Sequence, residues 1–342
     1  MQLLINILVT IIVFAFLIMA HEAGHFFMAK LFKVQVNEFS LGMGPALFKK
    51  KWGSTLYSIR ALPVGGYVQM DGEDGDGETE NAFNKKARWK RFFILVMGAF
   101  LNILLGFILI CIINSQRSLL PTTVVASFDE NSVSDSCGLQ KDDEIIEING
   151  YSVNSYLDLS FALSTAGVNP VDVKVLRNDA EVVLNSVAFP VLHDNSIGDY
   201  YGMDFYVYGE KRSFLNTISY SFEWTVSISK SIYSFLGTLI IGKADVNQLS
   251  GPVGTTAAIG ESIQYGLDSL LLIVALISIN LGIVNLLPFP ALDGGRIALL
   301  LLEAIRRKPL NQKIEIAINA TGMIILFGLM ILVAIKDIIK LF

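Results

Sequence analysis

Four long apolar stretches, separated by polar segments, run along the 342-residue chain. The first of them, residues 1–20, contains no charged side chain. A helix of about 20 apolar residues matches the ~30 Å hydrocarbon core of a bilayer, because each residue adds about 1.5 Å. We therefore predict a polytopic α-helical membrane protein with four transmembrane helices. Their predicted ranges are 1–33, 91–114, 267–292 and 316–342.

A different pattern, in which apolar and polar residues alternate, occupies residues 34–90. In Val34–Phe48 and Thr55–Met70 it predicts a β-hairpin or small sheet that partly dips into the membrane, although a plain cytoplasmic loop fits such short alternation equally well. The acidic stretch Asp71–Glu80 holds six carboxylates. The spacing of these carboxylates does not match an EF-hand, since Gly75 stands where a third calcium ligand is needed. The stretch therefore predicts a solvated flexible loop.

The basic residues indicate which side of the membrane each loop occupies. Residues 30–91 hold eleven Lys or Arg, and 293–315, between the third and fourth apolar stretches, hold five more. Cytoplasmic loops are enriched in these residues, so we expect both termini outside the cytoplasm, in a bacterial cell membrane. No basic residue precedes Lys30, which favours a retained helix over a cleaved signal peptide. The two cysteines give no disulfide framework.

The region between the second and third apolar stretches is mostly polar. Residues 117–190 contain short alternating runs and turn signals, and predict a β-rich domain inserted outside the cytoplasm. The expected elements are strands at Thr122–Phe128 and Glu144–Ile148, a short helix ending at Gly138, a helix at Leu157–Ala166, and a hairpin of Val171–Arg177 with Glu181–Phe189. In the linker 191–266, the apolar residues of 214–242 repeat at helical spacing, but Glu223 and Lys230 interrupt them. This pattern favours amphipathic helices on the membrane or the core over a further span.

The end of the first apolar stretch carries the most specific chemical signal, His21-Glu22-Ala23-Gly24-His25. Because a helix turns every 3.6 residues, His21 and His25 lie one turn apart on one face and can reach the same metal ion. Glu22 projects beside them as a candidate general base. Two of the chain's three histidines fall in this motif, and ionisable groups at a lipid boundary are costly. A metal site is therefore favoured over a chance match.

A catalytic zinc ion usually has three protein ligands and one open position, so a third ligand is needed. The first and third predicted helices run in the same direction, which brings Asp293, at the end of the third, to the level of the histidines. Asp293 could also cap the helix that follows. Glu303 lies deeper in the cytoplasmic loop and is the weaker candidate. The amides of Asn280 and Asn285 either satisfy broken backbone groups or bind an extended substrate.

The second apolar stretch contains Gly98, Asn102 and Gly106 at four-residue spacing. Small residues at this spacing let neighbouring transmembrane helices approach closely. The side chain of Asn102 is polar within an apolar helix, and it either bonds a neighbouring helix or helps to hold the site.

The motif HEAGH, the Gly98/Asn102 helix, the single external domain and the stretch NLLPFPALDGG at 285–295 resemble the site-2 protease family of intramembrane zinc metalloproteases, in its bacterial RseP/RasP type. The resemblance covers nearly the whole chain, and the order of elements in 117–190 resembles a PDZ domain of the permuted bacterial type. Some relatives carry two such domains where this chain has one, so a model in which two domains select substrates is in doubt here. The resemblance implies His21, His25 and Asp293 as ligands of Zn²⁺ and Glu22 as the base, and Asn280 and Asn285 match positions linked to substrate binding. Ser40–Pro45 resembles the membrane-dipping β-loop of the family. Further candidate substrate contacts are Gly42, Gly44 and Asn102.

The expected function is a zinc endopeptidase that cuts the transmembrane segments of previously trimmed single-pass proteins within the lipid bilayer. This is regulated intramembrane proteolysis, with anti-sigma factors or signal-peptide remnants as candidate substrates and no nucleic-acid partner. A catalytically inert membrane adaptor with a PDZ domain is the alternative, and the complete set of ligands with Glu22 argues against it. A transporter fits less well, because the four predicted spans show no repeat symmetry.

Overall fold

The computed structural model describes residues 2–73, 75, 77–194, 198–242, 250–308 and 311–340. Two residues of the acidic stretch, Asp74 and Asp76, and parts of the predicted linker 191–266 lie outside the described residues. The chain divides into two compact units. One contains Met1–Leu109 together with Leu249–Phe342, and the other contains Ile110–Gln248.

Helices dominate the first unit and flank the sheet of the second. They are α1 (Gln2–Leu31), α2 (Arg88–Gln116), α3 (Val133–Ser136), α4 (Tyr156–Thr165), α5 (Phe214–Ile240), α6 (Pro252–Gln264), α7 (Leu267–Asn285), α8 (Asp293–Arg306) and α9 (Gln312–Lys340). Within the described residues, α1, α2, α7 and α9 are long and apolar enough to cross a membrane. Together with the β-sheets, these helices fit a multi-pass membrane protein with a β-rich region.

The prediction that the third apolar helix continues to residue 292 is wrong. Helix α7 ends at Asn285, and the chain turns through residues 286–292 before α8 begins at Asp293. Pro288 and Pro290 explain the break, because a proline disfavours helical geometry in the residue before it and cannot donate a backbone hydrogen bond. Leu292 occupies the N-cap position of α8, so Asp293 is the first helical residue rather than the cap.

The alternating segments after α1 form two long strands, β1 (Val36–Trp52) and β2 (Thr55–Met70), which pair in antiparallel fashion. The first half of β1 pairs on both of its sides: Phe39 lies opposite Tyr57 at the start of β2 and opposite Val68 at its end. Val68 and Met70 pack with residues of α1, α2 and α8 in a buried core, so the end of β2 is fixed against the helices.

The second unit is built around a six-stranded sheet. Its strands are β3 (Leu119–Phe128), β4 (Glu144–Ile148), β5 (Tyr151–Ser152), β6 (Val171–Arg177), β7 (Ala180–Val187) and β10 (Phe205–Lys211), and a separate pair is formed by β8 (Val191–Asp194) and β9 (Gly198–Tyr201). The order is β10-β3-β4-β6-β7, with β5 beside β4 and every pair antiparallel. A core of valine, isoleucine and leucine side chains lies under α4. That this domain is of the PDZ type stays a prediction.

Two expectations about the second unit need correction. The sheet does not end at residue 190, because β10 pairs along β3. Within residues 214–242 the structure has one helix, α5, which ends at Ile240, rather than several, and its N-terminus is closed by a capping box between Ser213 and Asn216. Ser227 of α5 donates a 2.9 Å hydrogen bond to Asp158 of α4, so one face of α5 packs on the domain.

Candidate metal centre

The two histidines of the HEAGH motif lie on the buried face of α1 where it meets α2. His21 is 8% exposed and His25 is 7% exposed. The helices approach closely because both carry glycine at the contact. A Cβ atom at Gly24 would lie 2.4 Å from the carbonyl oxygen of Met97, and one at Gly98 would lie 2.3 Å from Nε2 of His25. Gly98 therefore leaves the space that the imidazoles occupy.

Asp293 reaches the histidines from the first turn of α8. A tight turn brings it there, since Cβ atoms at Gly294 and Gly295 would lie 2.2 Å from the carbonyl oxygens of Leu287 and Phe289. The Oδ2 atom of Asp293 lies 3.1 Å from Nε2 of His21 and 3.3 Å from Nε2 of His25. The two Nε2 atoms are 3.2 Å apart.

The spacing of these three atoms fits a tetrahedral zinc ion. With metal–ligand distances of about 2.0–2.1 Å, tetrahedral geometry places neighbouring ligand atoms roughly 3.3 Å apart. The Oδ2 atom of Asp293 is buried and has no hydrogen-bond partner of acceptable geometry among the described residues, as expected of a metal ligand. No other group of three metal-binding side chains comes together in the described part of the chain.

Neighbouring groups orient the histidines for this role. Nδ1 of His25 lies 2.8 Å from the carbonyl oxygen of Ile94 and can donate its proton there, which leaves Nε2 with a free lone pair. Nδ1 of His21 faces the side-chain amide of Asn102 at 3.5 Å. Asn102 is fully buried, and its position favours a role in holding His21 over a contact with substrate.

A cavity of about 820 Å³ opens beside the three ligands. Its wall includes Glu22, which lies next to the ligands on α1, and Asn285 at the end of α7. Asn280 is exposed and is not among the residues that line the cavity, and neither are Gly42 and Gly44. The structure thus brings Glu22 and Asn285 to the metal centre, but does not bring the other proposed substrate contacts to its wall.

Several residues of the cavity wall were not predicted from the sequence. The end of β2 contributes Tyr67, Val68, Gln69 and Met70. Glu73 forms an ion pair with Arg296, which lies one turn after Asp293 on α8. The LDGGR sequence could have indicated Arg296, because a cation three residues after a metal ligand lies on the same side of the helix.

The prediction of a solvated loop at Asp71–Glu80 is wrong for Asp71. The carboxylate of Asp71 is buried and accepts hydrogen bonds from the backbone amides of Glu78 and Thr79, at 3.2 and 2.8 Å, and from the hydroxyl of Thr79, at 2.5 Å. These bonds, of which the Thr79 hydroxyl makes the largest contribution, hold the pKa of Asp71 below its ordinary value. Asp71 therefore joins the start of this stretch to Glu78 and Thr79 near its end.

Comparison with known proteins supports the same chemistry. The model of the family described as peptidase family M50 matches residues 9–329. A protein of Clostridium perfringens that has been given a zinc metalloprotease name is 37% identical over 334 residues, covering 97% of this chain and 98% of that protein. A similarly named protein of Clostridium acetobutylicum is 35% identical over 335 residues, covering 98% and 97%. The zinc metalloprotease RasP of Shouchella clausii is 28% identical over 418 residues, covering 98% and 99%.

Proposed function

Because the chain belongs to peptidase family M50, the site-2 type of intramembrane zinc metalloprotease, we propose that it cleaves the transmembrane segments of single-pass proteins that have already been trimmed outside the membrane. The observation that supports this most strongly is the convergence of His21, His25 and Asp293, with ligand atoms 3.1–3.3 Å apart. Two of the three residues lie on α1, which is long and apolar enough to cross a membrane, and this supports chemistry next to lipid.

The residues of the site have different roles in peptide hydrolysis. His21, His25 and Asp293 would hold zinc, which when bound polarises the scissile carbonyl and acidifies the attacking water. Glu22 takes the proton from that water and then gives it to the leaving amine, as a general base followed by a general acid. The cavity of about 820 Å³ beside Glu22 gives water and an extended peptide room to reach it.

A helical substrate must unwind before it can be cut, because its carbonyl groups are engaged in helical hydrogen bonds. The end of β2, Tyr67–Met70, lines the cavity and pairs with β1 on one side. Among the described residues no strand pairs with its other side. An extended peptide that adds to this edge would regain the backbone hydrogen bonds it loses on unwinding. Asn285, on the same cavity, is a candidate to bond the peptide backbone.

The test uses the full-length protein in lipid nanodiscs with a model substrate. The substrate is a synthetic peptide with a 20-residue Leu/Ala transmembrane segment interrupted by Gly-Ser, carrying a fluorophore and a quencher at its ends. Glu22→Gln should abolish cleavage and leave the zinc content, measured by mass spectrometry, at that of the wild type. Normal turnover by Glu22→Gln would show that Glu22 is not the base, and absence of cleavage by the zinc-loaded wild type would contradict the proposed protease.

We also propose that the external domain, 117–190, acts as a size filter in regulated intramembrane proteolysis. A substrate with a large external domain is excluded, and one already trimmed, such as an anti-sigma factor or a signal-peptide remnant, is admitted. The positive charge of 30–91 and 293–315 supports an orientation with both termini outside the cytoplasm. Because β10 belongs to the same sheet, the deletion runs from 117 to 211, and it should allow untrimmed substrates to be cut. Continued resistance of those substrates would refute the filter.

A further inference from the structure

A cluster of polar side chains crosses the β1/β2 sheet. Its members are Glu38, Ser40, Ser58, Arg60 and Tyr67. Ser40 lies opposite Ser58 on one side and opposite Tyr67 on the other, so the cluster spans three neighbouring segments of the sheet. Glu38, Ser40 and Ser58 are buried. Buried charges are costly unless they are paired, which raises the question of what this cluster does.

Arg60 is the centre of the cluster. Its Nη2 atom donates to Oε1 of Glu38 at 2.7 Å, and its Nη1 atom donates to the carbonyl oxygen of Gly44 at 2.7 Å. The hydroxyl of Ser58 donates to the same Oε1 at 2.5 Å. The guanidinium carbon of Arg60 also lies 5.2 Å from the centre of the Tyr67 ring. Arg60 therefore connects two separate parts of β1 to the end of β2.

The cluster fixes the ionisation of its members. Burial alone would raise the pKa of Glu38, but hydrogen bonds from Ser58, Arg60 and Tyr67 outweigh it and lower the pKa below its ordinary value. Burial, and then the neighbouring Glu38 carboxylate, raise the pKa of the Tyr67 phenol. At neutral pH Glu38 is thus an anion and Tyr67 a neutral hydrogen-bond donor, so their contact is maintained.

Tyr67 is the member of the cluster that lines the cavity beside the metal centre. It lines the same cavity as His21, Glu22 and His25. Neighbouring Gly66 packs against α1 beside Glu22, since a Cβ atom at Gly66 would lie 3.5 Å from Cγ of Glu22. A shift of Tyr67 would therefore move the strand edge relative to the catalytic carboxylate.

We propose that Glu38 and Arg60 are positioning residues, which hold Tyr67 and the adjoining edge of β2 in the geometry that binds an extended substrate. The inference rests on the proposed protease function. Neither residue touches the metal ligands or carries out the chemistry. Their loss should weaken substrate binding and leave bond cleavage, once substrate is bound, nearly unchanged.

A purely structural role for the ion pair makes a different prediction. Removing one member of a buried pair leaves an unpaired charge, whereas replacing both by apolar residues of similar volume often restores stability. The variants Glu38→Met, Arg60→Met and the double variant therefore separate the two roles. The double variant should recover the Tm of the wild type but lack the contacts of Arg60 and Glu38 with Tyr67.

The measurements use the nanodisc-embedded protein and the Leu/Ala model peptide described above. For the double variant we expect wild-type zinc content, a kcat within about twofold of the wild type, and a KM raised roughly tenfold to a hundredfold, the effect of losing an interaction with a charged group in substrate binding. Lys49→Met is the matched control, because Lys49 is exposed and lies opposite Ser58. It should leave KM unchanged.

A second measurement, of peptide binding, does not depend on cleavage. The same peptide, without its quencher, binds to the Glu22→Gln background, and fluorescence anisotropy gives its Kd. Adding the double substitution should weaken this binding by the same factor as it raises KM. Wild-type KM and Kd in a stable double variant would overturn the inference. Weaker binding in the absence of any cleavage by the wild type would support the inference and contradict the proposed protease.

Discussion

Replacing Gly98 by alanine tests whether the metal centre depends on the close approach of α1 and α2. The added methyl group would lie 2.3 Å from Nε2 of His25 and 2.9 Å from Cε1 of His21. Ordinary van der Waals contact begins at 3.4 Å, so the imidazole of His25 must move by about 1.1 Å. His25 cannot swing aside freely, because its Nδ1 atom is bonded to the carbonyl oxygen of Ile94.

A shift of about 1.1 Å in His25 is large compared with the 3.1–3.3 Å that separates the three ligand atoms. We expect Gly98→Ala to weaken zinc binding by roughly tenfold to a hundredfold, the range found when the orientation of a metal ligand is disturbed. Proteolysis should fall by about a hundredfold or more. The overpacked contact should also lower the free energy of unfolding by about 1–3 kcal/mol. Zinc affinity is measured by competition with a fluorescent chelator, and stability by thermal unfolding of the purified protein.

Gly106→Ala is the matched control, two turns further along the same helix. Its methyl group would lie 2.4 Å from Cγ1 of Ile279 on α7, so it overpacks a contact between helices without touching a ligand. We expect a similar loss of stability but the zinc affinity of the wild type. If Gly98→Ala binds zinc as tightly as Gly106→Ala does, the metal centre tolerates the shift and the reasoning is refuted.

Three further predictions follow from other contacts. Arg296→Glu should reduce proteolysis by about tenfold or more, because Arg296 pairs with Glu73 beside the cavity. Adding Glu73→Arg should restore much of the activity, and failure of this charge swap would show that the pair itself is not needed. Because the fold lowers the pKa of Glu38, the ionised carboxylate stabilises the protein fully at pH values above its ordinary pKa of 4.5, and this stabilisation is lost as the pH falls below 4.5. The Tm values of the wild type and Glu38→Gln should therefore converge in acid, and a constant difference in Tm would contradict this. Asp337→Leu should cost about 1–2 kcal/mol, because Asp337 accepts 2.9 Å hydrogen bonds from two amides at the start of α6, as a capping side chain does; an unchanged Tm would refute this role.

The sequence predicts those parts of the site that depend on local spacing. The pairing of His21 with His25 follows from helical periodicity, and the approach of α2 follows from the glycine spacing around Gly98. Asp293 could be proposed only by reasoning about membrane level and by resemblance, because nothing in its neighbouring residues shows which helix it meets. The prolines before Asp293 indicate a break in the helix, but the predicted range extended to 292, whereas α7 ends three residues before Pro288.

The features that the sequence does not predict depend on contacts between segments that are distant along the chain. The placement of Tyr67 on the cavity depends on β1 pairing with both ends of β2, and this double register is not visible in an alternating pattern. The same holds for β10, which completes the sheet of the second unit by pairing with a strand some 80 residues earlier. Asp71 looked solvated because acidic residues surround it, but its own hydrogen bonds decide its position.

The metal ligands are held mainly by close backbone approach rather than by interlocking side chains. Gly24 lets α1 approach α2, while Gly106 and Gly282 let α7 approach α2, where a Cβ atom at Gly282 would lie 2.8 Å from the carbonyl oxygen of Ala99. In lipid, where apolar side chains gain little from leaving the solvent, such small-residue contacts are a principal means of fixing helices. Methyl groups added at these glycines should therefore impair the protein more than removal of methyl groups from lipid-facing leucines does. Gly98→Ala, whose methyl group meets the imidazoles, and Gly24→Ala, which separates α1 from α2, should both lower zinc affinity. Gly106→Ala and Gly282→Ala should lower stability alone.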